Sequence, residues 1–199
     1  PFYASGPVAM AWGNIGLVLG FACMHAFAVR GLSAARQSTF WLFAQTTLRF
    51  PALTLQVADL WLPGAALGAT VGVTTTGGAA PLVALLLTVA YPVAAFAVTI
   101  LYVLPRCGWE TYTRHPTGAA WDAYWYPEGR WSPKSVRNAC GPLMSTMTRR
   151  WGALGSSMRA LNVVLGVANG LQGSSACDGV LILLVVLHGA MAAMLVALR

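Results

Sequence analysis

RFPALTLQVADLWLPGAALGATVGV, residues 49–73, holds a single acid, Asp59, inside an apolar run. A spanning helix needs about 20 predominantly apolar residues, and the run from Phe50 to Val73 supplies them despite the carboxylate and the Pro63-Gly64 step. Reading this stretch as a membrane span decides the fold, because most of the chain is written in the same way.

The composition agrees. Of 199 residues, 57% are hydrophobic and only 9% charged, with a mean hydropathy of +0.65. Ordinary soluble domains carry about 25% charged residues, so too little polar surface exists here to coat a water-soluble globule. The net charge of +7 invites a nucleic-acid reading. The basic residues, however, stand at the ends of apolar runs and in one loop, as the positive-inside rule describes, and no nucleic-acid partner is expected. Cys23, Cys107, Cys140 and Cys177 are scattered without CxxC spacing, so neither a disulfide framework nor a zinc site is expected. HExxH, GxSxG and paired-aspartate motifs are absent from the sequence, which predicts no enzyme, no catalytic residue, no cofactor and no metal. The chain opens on Pro1 with no Lys or Arg ahead of its first apolar run, the expectation for a fragment or processed product without a signal peptide at that point.

Working outward from residues 49–73, a charge-free run from Pro7 to Val29, closed by Arg30, reads as the first span. Residues 30–49, with Arg30, Arg36 and Arg49 around FWLF (40–43), read as an interfacial helix or loop. The second span, Phe50–Val73, is followed by the uncharged turn TTTGGAA (74–80) and a third span, Pro81–Leu104, interrupted by Pro92. Gly152–Leu171 gives a fourth span containing Arg159, QGSSACD (172–178) a polar turn, and Gly179–Leu198 a fifth. The predicted fold class is an all-α membrane protein: a bundle of about five transmembrane helices with a Trp-rich, basic cytoplasmic loop. Its divisions are 1–104, three helices and a short basic loop; 105–151, the Trp-rich loop; and 152–199, a C-terminal helical hairpin. With the N-terminus outside and the C-terminus cytoplasmic, every Lys and Arg falls inside or near the inner end of a span, Arg159 being the deepest. Four spans result if 152–171 lies flat at the interface, and six if 31–50 crosses. GxxxG spacings at Gly16/Gly20, Gly64/Gly68/Gly72 and Gly166/Gly170 predict close helix packing, within the bundle or with a second copy of the chain.

At about 1.5 Å of rise per residue, Asp59, Asn162 and His188 fall near one midplane depth on three spans. A charge at the bilayer centre costs about 2.5–3.5 kcal/mol on insertion scales, so Asp59 is expected to be protonated or paired, with His188 as the candidate cation. The cluster reads either as a proton or cation site or as interhelical hydrogen bonds worth about 0.6 kcal/mol each. Arg159 reads as an arginine snorkelling to the headgroups, and His25 as a satisfied interfacial histidine.

The loop WDAYWYPEGRWSPKSVRNAC (121–140) interleaves aromatic and basic residues. Trp121, Trp125 and Trp131 suit the headgroup zone. Arg130, Lys134 and Arg137 would be drawn to anionic inner-leaflet lipid, at about 1 kcal/mol per basic residue. Cys107 and Cys140 are juxtamembrane candidates for palmitoylation. Within this loop YPEGRWSP (126–133), together with RFPAL (49–53), resembles the C-terminal membrane region of the trypanosome dispersed gene family surface proteins. The resemblance spans about residues 40–199 and rests on short motifs. It implies a chain that anchors a larger cell-surface protein in the plasma membrane, with an adhesive role suggested for the extracellular part and no established catalytic residues. The alternative reading is a channel or transporter subunit using Asp59 and His188.

Overall fold

The structure is a computed structural model that describes residues 3–35, 41–111, 129–144, 152–171 and 177–197. It is mostly helical. Helix α1 (Pro7–Ala35) starts on a proline, whose missing N–H is no loss in a first turn, and runs past Arg30 to Ala35. A short α2 (Trp41–Thr47) leads into α3 (Ala52–Thr75). Helix α4 (Ala79–Val98) continues through a π-turn at Thr99–Val103 and a 3-10 turn at Leu104–Arg106. Three of these stretches are long and apolar enough to cross a membrane: Pro7–Ala35, Ala52–Thr75 and Ala79–Arg106. Further on, α6 (Leu154–Gly170) has 17 residues and α7 (Cys177–Ala197) has 21.

The all-α expectation needs one correction. Within residues 105–151, β1 (Gly108–Thr111) pairs antiparallel with β2 (Gly129–Ser132), and a short helix α5 (Lys134–Cys140) follows. The pairing sets Trp109 opposite Trp131 and Glu110 opposite Arg130. The two indoles meet edge to face at 4.9 Å and Arg130 Nε donates to Glu110 Oε2 at 2.6 Å. Opposite charges and aromatic pairs directly across a ladder are what stabilise two short strands.

Helix α3 is central, packing against α1, α4 and α6. The interior is mostly alanine, with two larger aliphatics: Ala11 and Ile15 of α1, Ala58, Leu62, Ala65 and Ala69 of α3, and Ala84 of α4. Large apolar side chains point outward instead, Phe27 and Leu101 at 76% exposure and Leu60 at 72%. That inversion suits a lipid environment, where association comes from close backbone contact and the exterior needs no polar coat.

Glycines show how near the backbones come. A Cβ built on Gly64 would lie 2.8 Å from Asn14 Nδ2, and one on Gly68 2.7 Å from the Pro7 carbonyl. On α6, Gly166 abuts the Pro63 carbonyl and a Cβ on Gly170 would lie 2.7 Å from Thr70 Cβ. Gly16 and Gly20 meet nothing within 4 Å. These contacts also set direction. Numbers rise on α3 as they fall on α1 (64 with 14, 68 with 11), so the two are antiparallel. They rise together on α3 and α6 (63 with 166, 70 with 170), so these are parallel. The α2–α3 connection and the start of α6 therefore lie at one end of the bundle.

Gly166→Val is expected to lower stability by about 1–3 kcal/mol through overpacking against Pro63 and Ala66, whereas Gly20→Val should be near neutral. Thermal unfolding of both variants in detergent checks this; equal behaviour would contradict the α3–α6 contact.

Candidate functional site

Helix α6 buries a stripe formed by Ser156, Arg159, Val163, Gly166 and Gly170, spaced three or four residues apart so that all lie on one face. That face meets α3, and the stripe carries Arg159 to Asp59. Arg159 is 3% exposed, and its Nη2 stands 2.9 Å from Asp59 Oδ2. Tyr91 of α4 completes the group: its hydroxyl donates to Asp59 Oδ1 at 3.1 Å and accepts from Arg159 Nε at 3.3 Å. The remaining guanidinium nitrogen, Nη1, donates to the carbonyls of Pro142 (2.6 Å) and Gly155 (2.8 Å). A guanidinium can leave water only if its donors are all answered, and this one is held by three helices and the 141–143 turn.

Two further polar contacts lie toward the same end. His25 Nε2 lies 2.9 Å from the Leu48 carbonyl, which only an N–H can satisfy, so Nδ1 accepts from the Thr54 hydroxyl at 2.8 Å. Thr99, opening the π-turn, donates to the Ala95 carbonyl at 2.7 Å and sits 2.6 Å from Ser156 Oγ, which also reaches the Leu143 carbonyl at 3.2 Å. The His25–Leu48 and Ser156–Leu143 contacts each join a helix to a connecting segment.

The expected midplane cluster is therefore corrected. Asp59 takes its hydrogen bonds from Arg159 and Tyr91, not from Asn162 or His188. Asn162 stands half-buried one turn after Arg159. His188 is exposed on α7, its Nδ1 2.8 Å from the Leu184 carbonyl one turn back on its own helix, and among the described contacts it does not meet Asp59. Arg159 does not snorkel. Tyr91 was not singled out from the sequence, yet a tyrosine in the middle of an apolar span needs a partner for its hydroxyl, and that signal was present.

In the loop, Trp121 and Trp125 lie outside the described residues. Trp131, expected to face lipid, is 6% exposed and packs with Ala95, Val103, Leu143 and Met144. The reason is the strand pairing, which turns its indole in against Trp109. Arg130 is exposed and tied to Glu110, whose carboxyl it holds below the ordinary range through hydrogen bond and charge. Lys134 is exposed and Arg137 half-buried. Cys107 and Cys140 pack at the edge of the Trp131 cluster, and burial pushes both thiols up, which disfavours the reactive thiolate.

What the site can do chemically follows from its saturation: both Asp59 oxygens and all three guanidinium nitrogens are engaged within the protein. Among the described residues, no group of three His, Cys, Asp or Glu side chains converges on a metal position. No protein family, curated protein or solved structure matches this chain.

Removing one partner strands the other. Arg159→Met is expected to cost about 3–5 kcal/mol, the scale of an uncompensated buried charge. Asp59→Leu combined with Arg159→Met should recover much of that loss. A double-mutant cycle on unfolding in detergent checks it, and additive losses would contradict the pairing.

Proposed function

We propose that this chain is a multi-span membrane anchor that carries a larger cell-surface protein and lays a basic loop against the cytoplasmic leaflet. The observation that carries the reading is the saturated Asp59–Arg159–Tyr91 group inside an alanine-lined interior. An ion pair closed on itself binds helices together, whereas a transport site must release its ligands to a passing ion. In this reading the bundle has five spans, α6 and α7 supplying the fourth and fifth, with the N-terminus outside, the C-terminus cytoplasmic and the plasma membrane as location. The parallel course of α3 and α6 supports an even number of crossings between their starts. The larger surface protein comes from the YPEGRWSP and RFPAL resemblance. The GxxxG glycines of α3 and α6 act as contacts within the bundle, and the open pair on α1 is left for lipid or a second copy. No catalytic role is assigned.

A second reading, a channel or transporter subunit, keeps one observation in its favour: the Asp59 side chain is 25% exposed. Purified protein in liposomes, wild type beside Asp59→Asn, separates the two. The anchor reading expects no cation or proton flux from either protein and earlier melting of the variant. Flux from the wild type that disappears in a folded Asp59→Asn variant would establish a pathway and overturn the anchor.

A further inference from the structure

A cleft of about 390 Å³ opens where α3 begins, lined by Arg49, Gln56, Arg137, Asn138 and the apolar Ala52, Pro142 and Met144. Its volume falls in the range of about 300–1,000 Å³ common for small-molecule sites. The geometry points to a binding site for the phosphate-bearing headgroup of an anionic lipid, with Arg49 and Arg137 holding the phosphate.

Charge comes first. Two guanidiniums line one cleft, and among the described residues neither is paired with a carboxylate. The nearest acid acting on Arg137 is Glu110, which is already tied to Arg130. Among the described residues the Arg137 guanidinium makes one long contact, Nη1 to the Trp131 carbonyl at 3.4 Å, and its side chain lines the cleft. Guanidinium is suited to phosphate because its planar fork can give two parallel hydrogen bonds, and Gln56 and Asn138 add neutral donors beside it. The opening turn of α3, a helix of 24 residues, contributes the positive end of its dipole at Ala52.

The backbone is also specialised here. Arg49 has φ of 52°, a left-handed value uncommon for a residue with a Cβ. It lies where the chain turns from α2 into α3, so the arginine at the mouth is set by the turn itself. The apolar wall decides between sources of phosphate. A free anion has no use for Ala52, Pro142 and Met144, whereas a lipid brings glycerol and acyl carbons to them. The cleft also stands at the end of a membrane-spanning helix, where headgroups are found. The same 141–143 turn that supplies Gly141 and Pro142 to the cleft receives Arg159 through the Pro142 carbonyl, so the wall is fixed from inside the bundle.

This inference deepens the lipid-associated loop proposed above and rests on that reading for its orientation, but it concerns a defined cleft rather than the loop's overall charge. Detergent-purified full chain would be titrated with dioctanoyl phosphatidic acid, following the thermal midpoint, with dioctanoyl phosphatidylcholine and inorganic phosphate as comparisons. The expected result is a saturable upward shift with phosphatidic acid alone. Arg49→Gln with Arg137→Gln should lose affinity by about tenfold or more, the scale of removing charge-assisted contacts. Gln56→Glu, at an exposed position, should lose it equally by placing a carboxylate in the cleft, and it decides the matter if the arginine variant does not fold. Arg130→Gln with Lys134→Gln, outside the cleft, should bind as wild type. Retained affinity in a folded cleft variant would overturn the proposal. Displacement by inorganic phosphate at equal concentration would overturn the lipid assignment and leave a soluble anion as occupant. Equal loss in the Arg130/Lys134 variant would overturn the cleft while leaving a diffusely lipid-bound loop. Failure of the anchor reading would register as flux through liposomes, independently of this titration.

Discussion

A guanidinium buried among apolar helices dictates its own surroundings. Arg159 has more donors than any one neighbour can answer, so its burial requires a carboxylate, a hydroxyl and carbonyl oxygens to be placed around it at once. Asp59 comes from α3, Tyr91 from α4, and the carbonyls from α6 and the turn at Pro142. Satisfying one side chain thus positions three helices and one end of the long loop. The close approach of α3 and α6 at Gly166 and Gly170 is what lets the arginine reach the carboxylate without stretching.

The remaining polar contacts follow the same scheme on a smaller scale. His25 holds the segment ahead of α3 through the Leu48 carbonyl, and Ser156 holds the Leu143 carbonyl beside Thr99. Both bind connecting backbone to helices at one end, where chain leaves regular structure and carbonyls lose their helical partners. The far half of the bundle relies on small residues in contact, with Gly68 against Pro7 and Gly72 against Pro81. Among the described residues, the Thr70 hydroxyl there is buried without a partner.

Three spans were legible in the sequence because composition and run length determine them directly: Pro7–Val29, Phe50–Val73 and Pro81–Leu104 each fall within or against a helix of the structure. Their ends moved where apolarity does not mark them, as in α1 running on beyond Arg30. Depth along a span marks Asp59 as a carboxylate in need of a partner, but depth alone does not say which way a helix faces. Arg159 stands about two residues from Asp59 in depth, close to 3 Å at helical rise, yet from sequence it reads as a snorkelling arginine. That rule describes an arginine facing lipid. Arg159 faces α3, and the small residues of its own stripe, Ser156, Gly166 and Gly170, were the readable sign of a buried face. The β-pairing of Trp109 with Trp131 was hidden because the paired segments are four residues long and far apart in sequence, too short for an alternating pattern to show.

The order of the chain gives the ion pair a history. Asp59 leaves the ribosome roughly a hundred residues ahead of Arg159, an interval of about 5–20 s at ordinary synthesis rates. During that interval α3 exists without the guanidinium that its carboxylate meets in the finished fold. Tyr91 is made earlier than Arg159, so its hydroxyl is available to Asp59 before the guanidinium is. A chain stopped between α4 and α6 would therefore hold Asp59 beside Tyr91 but without its counter-charge.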